Sequence, residues 1–149
     1  MSRDRLLIVD DDEDILRNLE RILRLKGYET DIARTGLEAI EKTRRNFYNL
    51  VLLDIKLPDM EGTELLRKMH ETFPEMIKIM VTGYPDLENA IKSLNFGADA
   101  YLIKPVSVQE LLDVVKQKLD EQRNMEKMTE EKVKRWIETR IRKLRHGGL

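Results

Sequence analysis

The chain is 149 residues long, enough for one domain of ordinary size with a sizeable core, and its 41% hydrophobic and 37% charged residues describe a soluble globular protein with a heavily solvated surface. It contains no cysteine, which excludes a disulfide framework and a thiol nucleophile. No apolar stretch approaches the ~20 residues that span a bilayer, and Met1 to Arg5 lead into a strand without the apolar region of a signal peptide, so the expected compartment is the cytoplasm and no membrane partner is expected.

Leu6-Leu7-Ile8-Val9 predicts a first strand that runs into Asp10-Asp11-Asp12. Ile15, Leu16, Leu19, Ile22, Leu23 and Leu25 then recur at helical spacing, with Asp12 as N-cap or first-turn acid and Gly27 as the C-terminal stop. Tyr28 to Ala33 predicts a short second strand, and Thr35 opens a second helix through Leu37, Ala39 and Ile40 to about Asn46. The apolar run Leu50 to Leu53 ends at Asp54, and Pro58 and Gly62 punctuate the loop before a third helix from Thr63 to about Thr72. After Pro74, Ile77 to Val81 ends at Thr82-Gly83. Leu87, Ala90, Ile91 and Leu94 mark a fourth helix that stops at Asn95-Phe96-Gly97. Ala100 to Ile103 ends at Lys104-Pro105, and a fifth helix starts near Ser107 and runs through Leu119 toward Met125.

Five alternating strand–helix units predict an α/β fold: a doubly wound, five-stranded parallel sheet of order 2-1-3-4-5, flavodoxin-like, with a C-terminal helical extension. That order sets the ends of the first and third strands side by side, bringing Asp10, Asp11 and Asp54 to the edge where such sheets bind ligands. Crowded carboxylates repel one another, and a bound cation is the usual remedy. Mg²⁺ suits the task, since it takes one or two carboxylates plus phosphate oxygens and keeps several waters. With the cation in place, a remaining carboxylate can attack phosphorus to give an aspartyl-phosphate, while a lysine and a hydroxyl neutralise the phosphoryl oxygens.

Asp10-Asp11, Leu52 to Gly62 around Asp54, Thr82-Gly83, and Gly97-Ala98-Asp99-Ala100-Tyr101-Leu102-Ile103-Lys104-Pro105 together resemble the receiver domain of two-component response regulators, over roughly Arg5 to Leu119. The resemblance implies that Asp54 is phosphorylated and that Asp11, Asp54 and the backbone carbonyl of Lys56 bind Mg²⁺ directly, with Asp10 helping through water. It implies that Lys104 pairs with the phosphoryl group, that the Thr82 hydroxyl swings toward it, that Tyr101 is the switch aromatic, and that the bond before Pro105 is cis. Lys56 and Tyr84, two residues after Asp54 and Thr82, fall where family members tune phosphate loss, and their bulk predicts slow hydrolysis. The implied partners are a sensor histidine kinase or phosphotransfer protein and an unknown downstream target. Two alternatives stand beside this reading. Asp10-Asp11-Asp12 also satisfies the start of a haloacid-dehalogenase-type phosphatase, in which Asp10 rather than Asp54 is modified. The fold can also serve as a phosphorylation-independent binding module.

The expected domains are a receiver over residues 1–122 and an amphipathic, basic helical extension over 123–149. Thr129-Glu130-Glu131 reads as the N-terminus of a separate final helix, ended by Gly147-Gly148, with Val133, Trp136, Ile137, Ile141 and Leu144 on one face. From Lys132 onward seven basic residues stand against Glu138 alone. Three readings stand for that helix: packing of the stripe on the receiver or on a second copy, engagement of nucleic acid by the basic face, or the start of an output module outside these residues; a homodimer could equally form through the fourth helix, fifth strand and fifth helix. One helix is too little for a helix-turn-helix, so no sequence-specific DNA binding is expected. His70 and His146 are expected at the surface, without metal-ligand spacing.

Overall fold

A computed structural model describes residues 3–145 and shows β1 (Arg5–Val9), α1 (Glu13–Leu25), β2 (Glu29–Ala33), α2 (Gly36–Arg45), β3 (Leu50–Leu53), α3 (Gly62–Thr72), β4 (Ile77–Thr82), α4 (Leu87–Asn95), β5 (Ala100–Ile103) and α5 (Val108–Arg145). The expectations for His146, Gly147 and Gly148 lie outside the described residues. The five strands form one parallel sheet in the order β2-β1-β3-β4-β5. Helices cover both faces, as a parallel sheet requires.

Alternation along each strand sorts the core into two layers. Leu6, Ile8, Leu50, Leu52, Ile77, Ile79, Val81 and Leu102 meet Leu16 and Leu23 of α1 and Leu111, Val115 and Leu119 of α5. Leu7, Val9, Val51, Leu53 and Met80 point the other way, against Ala39 of α2 and Leu65, Leu66 and Met69 of α3. Each fully buried aliphatic side chain stabilises the fold by about 1.5–3 kcal/mol.

Local chemistry sets the helix ends. The Asp12 carboxylate accepts from the backbone N–H groups of Asp14 and Ile15, and Thr35 Oγ1 accepts from Glu38 N–H. Gly27 carries φ +92°, the left-handed conformation that follows many helix ends and favours glycine.

The chain divides into two compact units, Met1–Leu119 and Asp120–Leu149. One expectation is corrected here: no separate helix begins at Thr129, because α5 runs unbroken from Val108 to Arg145. No Gly or Pro interrupts it, and Thr129 Oγ1 donates to the Met125 carbonyl 3.0 Å away, inside the helix, instead of capping a new one. No helix among the described residues is long and apolar enough to cross a membrane.

Candidate functional site

The pairing of β1 with β3 sets Val9 beside Leu53, so the next residues, Asp10 and Asp54, leave the sheet side by side. Asp10 N–H donates to the Ala33 carbonyl at 3.1 Å and Asp54 N–H to the Val9 carbonyl at 3.0 Å, which fixes both backbones. Carboxylate oxygens of Asp10, Asp11 and Asp54 lie within 4.8 Å of one another. Asp10 and Asp54 are buried, at 3% and 5% exposure, and Asp11 faces solvent.

Lys104 enters this cluster from the end of β5. Its N–H donates to the Thr82 carbonyl at 2.8 Å, and the Lys104–Pro105 peptide bond is cis. Its Nζ lies 2.7 Å from Asp10 Oδ2 and 3.4 Å from Asp54 Oδ2. Asp10 Oδ1 accepts from the Asp12 N–H at 2.9 Å, whereas Asp54 Oδ1 is buried with no hydrogen-bond partner. Burial, and then the charge of Asp10, raise the Asp54 pKa above the ordinary carboxylate range, with Lys104 opposing. Burial works against the Lys104 ammonium, but the hydrogen bond to Asp10 and the two carboxylate charges outweigh it and raise its pKa. A hard oxygen donor set, one of its buried oxygens unpartnered, is a fitting environment for a small divalent cation.

Thr82, Lys56 and Tyr84 lie at the same sheet edge, and Tyr101 sits two residues before the end of β5. Thr82 is fully buried, and its hydroxyl oxygen accepts from the Tyr84 N–H at 2.9 Å. Tyr101 packs at the border of the second core layer with its hydroxyl buried and unpartnered. Lys56 and Tyr84, far apart in sequence, meet: Lys56 Nζ sits 4.4 Å from the centre of the Tyr84 ring, a cation–π contact. Lys56 also bridges to Glu61, closing the loop after Asp54. Gly62 is required there, because a Cβ at that position would overlap the Asp54 carbonyl oxygen.

Two contacts had no local signal in the sequence. The Asp59 carboxylate accepts from Gly36 N–H at 2.8 Å and Leu37 N–H at 2.9 Å, which ties the loop after β3 to the first turn of α2. His70 is not a plain surface residue: it is half-buried, and its Nδ1 lies 3.0 Å from Nζ of Lys78, a fully buried lysine that also donates to the Pro74 carbonyl at 3.1 Å. A lysine in mid-strand needs such acceptors once desolvated, and burial lowers its pKa against the opposing charge of Asp99.

Known proteins resemble this chain in sequence and fold. The family model described as the response regulator receiver domain matches residues 6–116. The response regulator receiver domain protein of Methanospirillum hungatei JF-1, described as CheY-like, superposes with a TM-score of 0.82 at 56% identity, over 83% of this chain and 99% of that one. The response regulator ArlR of Staphylococcus saprophyticus is 35% identical over 108 residues, and the transcriptional regulatory protein YkoG of Bacillus subtilis 35% identical over 112 residues. These alignments take in 72% and 75% of this chain but 49% of each relative, so the chain spans about half the length of these curated relatives. With three-quarters of its length matched by that one family, and with the fold in agreement, the chain belongs to the response regulator receiver domains of two-component systems.

Proposed function

We propose that this chain accepts a phosphoryl group on Asp54 in a Mg²⁺-dependent reaction and answers by switching a protein-interaction surface. Receiver domains work between histidine kinases and downstream targets and generally hold Mg²⁺ in an acidic pocket. The observation that carries the proposal is the convergence of three carboxylates, two of them paired with Lys104, with one buried Asp54 oxygen left unpartnered.

Asp10, Asp11, Asp54 and the Lys56 carbonyl would hold the Mg²⁺, which when bound neutralises charge on the phosphoryl oxygens. An Asp54 carboxylate oxygen attacks phosphorus as the bond to the donor's phosphohistidine nitrogen breaks, and the donor imidazole leaves with the electron pair. Lys104, already within reach of Asp54, pairs with the new phosphoryl group. The Thr82 hydroxyl exchanges the Tyr84 N–H for a phosphoryl oxygen, and Tyr101 follows into the space behind it, shifting an equilibrium between two surface states. On this reading the chain is a phospho-acceptor that acts catalytically only on its own phosphorylation state. It receives phosphate from a sensor kinase or phosphotransfer protein and works in the cytoplasm. The receiver is assigned to residues 1–122 and a basic extension to 123–149, close to the observed division after Leu119, and these 149 residues are proposed not to read DNA sequence themselves.

Intact-mass measurement after incubation with acetyl phosphate and Mg²⁺ tests this. The parent is expected to gain one phosphoryl group only when Mg²⁺ is present, and Asp54→Asn none. A parent that stays unmodified overturns the proposal in favour of a phosphorylation-independent binding module, and modification that moves to Asp10 points to the phosphatase chemistry.

A further inference from the structure

From Asp120 to Arg145 the second unit is one helix, about 39 Å long, with its charges sorted along the axis. Residues 120–131 carry Asp120, Glu121, Glu126, Glu130 and Glu131 against Arg123 and Lys127, five acidic to two basic, net −3. Residues 132–145 carry Lys132, Lys134, Arg135, Arg140, Arg142, Lys143 and Arg145 against Glu138, seven basic to one acidic, net +6. Val133, Ile137, Ile141 and Leu144 follow one another at spacings of four, four and three, which stacks them on one face, with Trp136 beside them. Met125, eight residues before Val133, continues the apolar surface toward the acidic end. These six side chains are 44% to 69% exposed, a surface of the kind that marks an interaction site. Arg140 lies across it, its guanidinium 4.6 Å from the centre of the Trp136 ring.

We propose that this face is covered by the same segment of a second copy of the chain, lying antiparallel. Charge decides the direction. A parallel pair sets +6 against +6 along the basic half, where the apolar stripe is densest and repulsion is felt most. An antiparallel pair sets each basic half against an acidic half, so the attraction is made twice, once at each end. With Val133 near the two-fold axis, Ile137 of one copy meets Thr129 of the other, Ile141 meets Met125, and Leu144 meets Gln122. The same register brings Arg140 opposite Glu126 of the second copy. The alternative occupants, an anionic lipid surface or an unrelated acidic protein, would use the basic half alone and leave Met125 and the acidic half without a role.

This assembly does not depend on chemistry at Asp54, so Asp54→Asn is expected to assemble like the parent. The chain has no cysteine, so each introduced thiol is unique. Sedimentation is expected to give twice the monomer mass, a state that weakens as salt rises. Ile137→Glu is expected to raise the dissociation constant about tenfold or more, while circular dichroism shows the helix retained. Under mild oxidation, Val133→Cys is expected to cross-link to itself, and Gln122→Cys to cross-link with Leu144→Cys only when the two variants are mixed. Self-cross-linking of Leu144→Cys in place of the mixed pair means a parallel arrangement and overturns the proposal. A monomeric chain overturns it as well, and a monomer that co-sediments with phosphatidylglycerol vesicles reassigns the face to lipid.

Discussion

Replacing Asp54 by Asn is expected to make the Mg²⁺-free protein more stable while abolishing its capacity to be phosphorylated. Asp54 and Asp10 present oxygens within 4.8 Å, a repulsion of about 3–4 kcal/mol at an effective dielectric of ~20. Lys104 at 3.4 Å from Asp54 returns about 5 kcal/mol on the same scale, a net attraction of about 1–2 kcal/mol that offsets part of the burial cost. What remains is the desolvation of a carboxylate at 5% exposure whose Oδ1 has no partner, a cost of about 1–3 kcal/mol. The direction of its pKa agrees. Burial first, and Asp10 second, raise it, so the ionised group weakens the fold increasingly as pH rises through the folded value and has no such effect below the unfolded one. The relief left after that offset, up to about 2 kcal/mol, corresponds for a chain of this size to a rise of up to about 8 °C in the unfolding midpoint. The assay is thermal unfolding followed by circular dichroism, in chelator and then in Mg²⁺. Mg²⁺ at a hundredfold excess over its dissociation constant adds about 2.7 kcal/mol to the parent and less to the variant, which narrows or reverses the gap. A variant that melts below the parent in chelator would refute the reasoning, since the attraction of Lys104 would then outweigh the desolvation of Asp54.

Two further outcomes follow from contacts seen only in three dimensions. Removing either member of the Lys56–Tyr84 pair opens the approach to the phosphoryl group, so Lys56→Ala and Tyr84→Ala are each expected to lose phosphate roughly two- to fivefold faster, the equivalent of the ~0.5–1 kcal/mol of an exposed cation–π contact; slower loss, read by intact mass over time, would count against it. Lys78 has a lowered pKa, so the unfolded chain binds more protons between the folded value and 10.5, and stability gains a positive slope with pH across that window. Urea denaturation at a series of alkaline pH values is expected to show that slope reduced in Lys78→Met, and an unchanged slope would place the lysine's proton elsewhere.

Much of the fold was legible because its signals are local. Short, mostly apolar runs ending in polar residues marked β1, β3, β4 and β5, and Asp12, Thr35 and Gly27 marked helix ends through interactions spanning at most four residues. The gathering of Asp10, Asp11 and Asp54 was legible once strand order was assumed, since order alone makes those strand ends neighbours. The continuity of α5 was not, because Thr129-Glu130-Glu131 fits a cap as well as an interior. The choice turns on whether the hydroxyl bonds forward or back to Met125. Nor could spacing show that Asp59 reaches α2, that Lys56 finds Tyr84, or that His70 meets a buried lysine, since each contact spans at least eight residues and exists only after the layers have packed.

The grip of Asp59 on α2 bears on how the metal pocket works before anything binds. A free loop between Asp54 and Gly62 would have to be frozen by each incoming ion, at a conformational entropy cost of about 1–2 kcal/mol for every residue ordered. Two backbone N–H groups of α2, the Lys56–Glu61 bridge and the close approach of Gly62 to Asp54 have already removed that freedom during folding. A cation entering the pocket would therefore meet an ordered loop, and its affinity would be set by the donors presented and the water they displace, with little loop entropy left to lose.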